Sequence, residues 1–64
     1  MTIIINGKYE HIASGNIYRV VCVSTLKLNG KWLVDDPMVT YTSSNGIYYS
    51  RLKSIFILKF KLKG

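Results

Sequence analysis

Side chains that could take part in acid–base or metal chemistry are few in this chain. The 64 residues include one histidine, one glutamate, one cysteine and two adjacent aspartates: His11, Glu10, Cys22, Asp35 and Asp36. Acid–base catalysis needs two groups that converge with separated pKa values, but strand neighbours such as Glu10 and His11 point to opposite faces. A zinc site needs a spaced cluster of ligands, and a phosphate loop needs glycines before a helix. We therefore expect a non-enzymatic protein without a metal or cofactor.

The length of the chain allows one domain at most. Its 64 residues are near the size at which a hydrophobic core alone is marginal. Cys22 has no partner for an internal disulfide and lies in an apolar run, so we expect a buried thiol and a reducing, cytoplasmic setting. No apolar stretch approaches the roughly 20 residues of a membrane span, and no basic-then-hydrophobic leader begins the chain. We expect a soluble protein that does not enter the membrane.

The net charge of +6 is unevenly distributed. Residues 1–36 hold four bases and three acids, whereas residues 37–64 hold five bases and no acid. Such a distribution favours an acidic partner, which is either nucleic acid or an acidic protein surface. The alternative is that the lysines only maintain solubility and protect the edges of a sheet.

Turn signals divide the chain into short segments rich in Ile, Val, Tyr and Thr. Asn-Gly, which tolerates the positive φ angles of a two-residue hairpin loop, occurs at residues 6–7, 29–30 and 45–46. Asp35-Asp36-Pro37 predicts a break. The predicted strands are Thr2–Ile5, Lys8–Ala13, Ile17–Lys27, Met38–Ser43, Ile47–Leu52 and Leu58–Leu62. Because Ile17–Lys27 is apolar on both faces, it predicts a bent strand shared by two halves of a small barrel. The fold is predicted to be all-β, a partly open antiparallel barrel of five or six strands.

The C-terminal segment is basic and apolar, which is also typical of an amphipathic helix at a membrane surface. Leu58, Phe60 and Leu62 alternate with Lys59, Lys61 and Lys63. A period of two indicates a strand, because the same residues would scatter around a helix. We therefore predict an inner apolar face and an outer row of lysines that deters pairing at the sheet edge.

The Asn45-Gly46 turn sets which tyrosine faces solvent. If it forms a two-residue loop, Thr42 pairs with Tyr49 and Thr40 pairs with Arg51, and paired residues share a face. This register predicts that Tyr48 packs inward while Tyr49 and Arg51 face outward together. A slip of one residue would reverse the assignment.

A second tight loop at Asn29-Gly30 would pair Lys27 with Trp32, so that the lysine lies across the indole ring. The tryptophan is then either a binding anchor near a loop tip or a plug that closes one end of the barrel. We favour the plug.

The sequence resembles a family of short phage and bacterial proteins of unknown function with an SH3-like barrel. Its pattern runs Tyr-x-His, Gly-Asn-x-Tyr-x-Val, Val-x-Tyr, then Gly, an aromatic, Arg and Phe, over about residues 7–60. The matching positions are Tyr9, His11, Gly15, Asn16, Tyr18, Val20, Val39, Tyr41, Gly46, Tyr49, Arg51 and Phe56. The family commonly has Trp where Tyr49 stands and Pro where Leu52 stands. The resemblance implies a protein usually encoded by a phage or prophage, and it supplies no catalytic residues and no settled activity.

Three functions follow as hypotheses. The first is an accessory protein that docks on and blocks a host macromolecule, such as defence or nucleic-acid-handling machinery, in the host cytoplasm. The second is direct binding of single-stranded DNA or RNA, and the third is self-association through edge strands. The expected partner-binding residues are Tyr49, Arg51, Lys53, Trp32, Lys59, Lys61, Lys63 and, for stacking on bases, Tyr9.

Overall fold

The computed structural model describes residues 2–32 and 34–63, which form seven strands and one helix. In chain order these are β1 (Lys8–His11), β2 (Ile17–Ser24), β3 (Lys27–Leu28), β4 (Lys31–Trp32), β5 (Met38–Thr42), β6 (Tyr48–Leu52), α1 (Lys53–Lys59) and β7 (Phe60–Leu62). The all-β class is confirmed. The predicted first strand, Thr2–Ile5, is wrong, because this segment is irregular and then turns. One of its backbone groups bonds to a side chain and not to a strand, since the Ile4 N–H donates to the Tyr9 hydroxyl at 3.0 Å.

Five of the strands form one antiparallel sheet in the order β6-β5-β2-β1-β7. The strands β3 and β4 form a separate hairpin. The chain meanders through β1, β2, β5 and β6 and then returns, so that β7 lies beside β1. No pairing among the described residues joins the two edges, β6 and β7, so the barrel is not closed.

A bulge bends β2, as the apolar pattern on both of its faces predicts. The strand pairs with β1 over residues 17–19 and with β5 over residues 19–24, and the register shifts between Val20 and Cys22. An extra residue of this kind kinks a strand and increases its twist. Beyond the bulge, Cys22 lies opposite Thr40, whose hydroxyl is bonded to Ser50. Cys22 is therefore exposed on the polar face, and its predicted burial is wrong.

The two hairpin loops built on Asn-Gly differ. Asn29 and Gly30 both have positive φ, 52° and 76°, and the two-residue loop pairs Lys27 with Trp32 as predicted. At the other loop only Gly46 has positive φ, 83°, and its N–H donates to the Ser43 carbonyl at 3.1 Å. The Ser43 N–H then donates to the Ile47 carbonyl at 3.0 Å, which leaves a loop of three residues ending in a glycine bulge.

The longer loop moves the β5–β6 register by one residue. Thr42 pairs with Tyr48 and Tyr41 pairs with Tyr49, so the predicted pairing of Thr42 with Tyr49 is wrong. Hydroxyl groups explain why the loop is longer, because the Thr42 hydroxyl donates to the Ile47 carbonyl at 3.1 Å and the Ser43 hydroxyl donates to the Asn45 side chain. The local polar side chains hold a conformation that the Asn-Gly dipeptide alone does not specify.

Aromatic rings fill most of the core. Its buried members are Tyr9, Val20, Val39, Tyr41, Phe56 and Phe60. The Phe56 and Phe60 rings stack with centroids 4.3 Å apart and planes 7° apart, while Tyr9 meets Phe56 edge-on at 5.2 Å. Large rings supply more buried area per residue than aliphatic side chains, which matters in so short a chain.

The C-terminal segment begins with a helix where the alternation predicts a strand. Residues Lys53–Lys59 are helical, only Phe60–Leu62 form a strand, and Leu58 is 75% exposed rather than inward. The helix carries the chain from β6 at one edge to β7 at the other. Phe56 and Phe60 are four residues apart, so the helical turn brings both rings to the core. The four-residue spacing of the two phenylalanines therefore outweighs the period-two alternation, and the segment begins as a helix.

A carboxylate from another part of the chain caps this helix. Leu52, at the N-cap position, makes no side-chain cap bond. The Asp36 side chain supplies the cap instead. Its Oδ1 accepts the Ser54 N–H at 2.8 Å, and its Oδ2 accepts the Ser54 hydroxyl at 2.7 Å. The bonds from the Ser54 backbone and hydroxyl, with Lys53 nearby, lower the pKa of Asp36. The predicted break at Asp35-Asp36-Pro37 thus also positions α1.

Removal of the Phe56 ring tests the helical packing. We expect Phe56→Ala to destabilise the fold by about 3–5 kcal/mol, a large part of the about 3–10 kcal/mol typical of this length. Leu58→Ala, in the same helix, should change stability by less than about 0.5 kcal/mol, because that side chain is exposed. Urea denaturation followed by circular dichroism measures both. A large loss for Leu58→Ala would contradict the helix.

The Asp36 cap predicts a dependence of stability on pH. Because folding lowers the pKa of Asp36 from 3.8, its stabilisation is complete above that value and is lost as pH falls through the folded-state pKa. Asp36→Asn should be less stable than the wild type at neutral pH, and the difference should shrink well below pH 3.8. Urea midpoints at both pH values measure this. Asp35→Asn, its exposed neighbour, is the matched control, and an equal effect there would refute the cap.

Candidate binding surface

A row of polar and aromatic residues crosses the outer face of the sheet. Lys8 lies opposite Arg19, Arg19 opposite Thr42, and Thr42 opposite Tyr48. Residues that are directly opposite share one face, so the four side chains form a line across β1, β2, β5 and β6. We call these four residues the basic–aromatic row. With three strand spacings, the row is about 14 Å long.

The two ends of the row reach solvent. Tyr48 is 63% exposed, and Lys8 and Arg19 are exposed at the other end. Thr42, between them, is buried with its hydroxyl bonded to the β6 side of the loop. Glu10 lies one pair further along the same face, and Lys63 pairs with its carboxylate at 3.4 Å. The row therefore has an aromatic end and a cationic end and contains no acid.

A turn at the N-terminal side orients the guanidinium. Arg19 Nη1 donates to Asn6 Oδ1 at 2.9 Å, and Asn6 has a positive φ of 66°. The turn is fixed by the Gly7 N–H, which donates to the Ile4 carbonyl at 3.0 Å, and by the Val20 N–H, which donates to the Gly7 carbonyl at 3.1 Å. Gly7 is buried so tightly that a Cβ atom there would lie 2.9 Å from the Ile4 carbonyl oxygen.

Two shallow grooves flank the aromatic end. One, of about 470 Å³, is lined by Lys8, Arg19 and Tyr48, and the other, of about 340 Å³, by Tyr49. Both grooves share Ile17, Tyr18, Ser43 and Ser44. The Tyr18 ring packs edge-on against the rings of Tyr41 and Tyr49, with centroids 5.3 and 5.9 Å away. Part of the groove lining is therefore held in place by contact with a core residue, Tyr41. The combination of apolar floor, hydroxyls and two cations suits a flat, negatively charged ligand.

Tyr49 and Arg51 are not displayed together as predicted. Both share the inner face with Tyr41 because of the shifted register. Arg51 Nε donates to the Tyr41 hydroxyl at 2.8 Å, and its guanidinium lies 5.9 Å from the Phe60 ring centroid. Tyr49 stacks on Tyr41 at 5.6 Å and is 41% exposed, whereas Tyr48, predicted to be buried, is the more exposed. The outward pairing of Tyr49 with Arg51 is wrong.

Tyr9 is also unavailable as a stacking platform, because it is fully buried. Its neighbours are core rings, and its hydroxyl accepts the Ile4 N–H.

The predicted lysines are divided among different elements. Lys53 and Lys59 begin and end α1, Lys61 lies in β7, and Lys63 pairs with Glu10. They do not form the continuous outer row that alternation along one strand implies. The cations that share a sheet face with the exposed Tyr48 ring are Lys8 and Arg19, which the sequence reasoning did not select.

Trp32 is 60% exposed on the β3–β4 hairpin, which excludes the plug interpretation. Lys27 Nζ lies 5.3 Å from its ring centroid, as the register predicts. Leu28, which lies opposite Lys31 in the hairpin, and Val34, two residues after Trp32, are 53% and 70% exposed. The hairpin therefore presents apolar surface with cations beside it.

Within residues 2–32 and 34–63, no group of three His, Cys, Asp or Glu could hold a metal ion. His11 Nδ1 bonds to the Ser14 hydroxyl at 2.8 Å, and its ring meets Phe60 edge-on at 5.0 Å.

Over the same ranges, none of the helical structure has the length and apolar character needed to cross a bilayer.

Comparison with known proteins returns no match among protein-family models, curated proteins or solved structures. The likeness to a phage family stays a prediction, and the function must be argued from the surface itself.

Proposed function

We propose that this protein is a non-enzymatic binding module that takes single-stranded nucleic acid on its basic–aromatic row. The observation that carries the proposal is the strand register, which aligns the exposed Tyr48 with Arg19 and Lys8 on one face beside a groove. Small β-sheet proteins bind single strands by stacking bases on exposed rings while basic side chains contact the phosphates.

Each end of the row has its own task. A base stacks on Tyr48, whose ring is the most exposed of those that line the grooves, and the adjoining phosphates lie towards Arg19 and Lys8. Arg19 is the better oriented of the two cations, because Asn6 holds one of its nitrogens. An unpaired base is required, since a base within a duplex does not expose its ring to a protein side chain.

The charge of the whole chain favours the same ligand class. A net charge of +6 attracts a polyanion over a distance limited by salt, and it speeds encounter more than it adds affinity. The ring and the two cations then supply the local contacts. Stacking on a tyrosine tolerates any base, so we expect little sequence preference.

Tyr48→Ala tests the proposal. It should weaken binding of a fluorescent single-stranded oligonucleotide by about 1–3 kcal/mol, the usual value of one stacked base. Lys8→Ala should weaken binding and reduce the salt dependence of the affinity, because one phosphate contact is lost. Fluorescence anisotropy at several salt concentrations measures both.

Lys31→Ala is the matched control for charge, since it removes one lysine from the separate β3–β4 hairpin. It should have a smaller effect than Lys8→Ala. Absence of binding at low salt, or equal effects of the two lysine substitutions, would overturn the assignment to the row.

A second candidate function is docking on a host macromolecule and blocking it, as the phage-type resemblance implies. The exposed Trp32 favours it, because exposed tryptophans flanked by apolar and basic residues are typical binding anchors. The partner would present an acidic surface to Lys27, which lies on the same face of the hairpin as Trp32. Such an accessory protein would act in the cytoplasm of a host cell.

Affinity capture from lysate with Trp32→Ala tests this candidate. Loss of a captured protein in Trp32→Ala, but not in Tyr48→Ala, would place protein docking on the hairpin. Capture of the same protein by both variants and the wild type would remove the hairpin from consideration.

A further inference from the structure

The edge strand β6 has backbone groups that no described residue satisfies. At one end of the β5–β6 ladder the Ser43 N–H donates to the Ile47 carbonyl at 3.0 Å. At the other end the Lys53 N–H donates to the Pro37 carbonyl at 2.7 Å. In an antiparallel ladder the bonded pairs alternate, so Tyr49 and Arg51 are the residues bonded to β5. The N–H and C=O groups of Tyr48 and Ser50 therefore point away from the sheet.

The two edges of the sheet are protected unequally. The β7 edge carries Lys61 and is followed by Lys63, and lysines at an edge deter pairing with another chain. The sequence of β6, Tyr-Tyr-Ser-Arg-Leu, contains no lysine, no proline and no bulge in its pairing with β5, and the lysine that follows it, Lys53, is the first residue of α1. Its first three residues are exposed. This edge is open to the addition of a strand.

We propose that β6 pairs antiparallel with β6 of a second copy of the chain, about a two-fold axis at Ser50. In this register Ser50 faces Ser50 of the partner subunit, and Tyr48 faces the partner's Leu52. Ser50 and the partner's Ser50 exchange two backbone hydrogen bonds, and each Tyr48 carbonyl accepts the partner's Leu52 N–H. The Leu52 carbonyl is not counted, because Leu52 is the N-cap of α1 and its carbonyl accepts the first bond of that helix. A two-fold interface is closed, so association stops at the dimer.

The side chains of β6 complement themselves in this register. On the inner face, Tyr49 lies opposite the partner's Arg51, so each guanidinium meets an aromatic ring. On the outer face, Tyr48 and the partner's Leu52 make an apolar pair. No like charges are directly opposed, which matters for two chains that each carry +6. Added salt should strengthen the dimer by screening this repulsion, whereas it weakens nucleic-acid binding.

The dimer would join two five-stranded sheets into one continuous sheet. Its basic–aromatic rows would lie on the same face, related by the two-fold axis. The inference does not depend on that function, because it rests on the backbone groups and side chains of β6 itself.

Sedimentation equilibrium of the full chain tests the dimer. Ser50→Pro removes an N–H that points away from β5, so the ladder within each subunit stays intact and only the dimer loses its donors. We expect the dissociation constant of the dimer to rise at least about tenfold. Leu62→Pro is the matched control on the other edge of the sheet. In the β1–β7 ladder the Lys63 N–H donates to the Lys8 carbonyl and the Ile12 N–H donates to the Lys59 carbonyl. Because bonded pairs alternate, the Leu62 N–H points outward from that edge. Leu62→Pro should leave the dimer unchanged.

A second pair of variants avoids proline. Ser50→Lys and Ser50→Glu each place like charges directly opposite across the axis, so each alone should be monomeric. Mixing the two should restore association as a one-to-one heterodimer. A monomeric wild type at high protein concentration would overturn the proposal, as would dimers that survive Ser50→Pro or separate Lys and Glu variants. Loss of the dimer in Leu62→Pro alone would assign the interface to β7 instead. Circular dichroism confirms that each variant is folded.

Discussion

The hydrogen bonds of the loop between β5 and β6 determine which side chains of this protein meet solvent. Gly46 adopts a positive φ, while hydroxyls from Thr42 and Ser43 satisfy the Ile47 carbonyl and the Asn45 side chain. The loop thereby contains three residues, and β6 pairs one position away from where a two-residue loop would place it. Tyr48 is brought to the outer face, whereas Tyr49 and Arg51 turn towards the core. The basic–aromatic row and the free edge of β6 both follow from this register.

The core depends on rings in place of the many aliphatic residues that a larger domain would contain. Phe56 and Phe60 stack, Tyr9 and Tyr41 meet them, and Arg51 closes one side by bonding to the Tyr41 hydroxyl. A guanidinium that serves a core tyrosine is largely committed to structure. The exposed cations Lys8 and Arg19 lie on the outer face of the sheet instead.

The sequence predicts the parts of this fold that depend on local pattern. Segments rich in β-branched residues and Asn-Gly turns predict most strands, and the two-residue loop at Asn29-Gly30 and its Lys27–Trp32 contact are as expected. The bent β2 follows from its two apolar faces. These features arise from residues that are close in the chain, where turn chemistry and periodicity act directly.

The errors have a common cause, which is that distant contacts compete with local pattern. Leu58 follows the alternation of a strand, but Phe56 and Phe60 need a helical turn to reach Tyr9 and Tyr41. Asp36 caps that helix from across the fold, which no spacing within the helix reveals. The basic–aromatic row joins residues of four strands. It therefore becomes visible only once every register is known.

Gly7 affects the basic–aromatic row although it contributes no side chain to it. Its hydrogen atom faces the Ile4 carbonyl where any larger group would collide, and the same turn presents the Asn6 side chain to Arg19. A change at this enclosed position would re-aim a guanidinium several residues away while leaving every exposed side chain chemically the same. The orientation of the Arg19 guanidinium therefore depends on a residue that has no side chain.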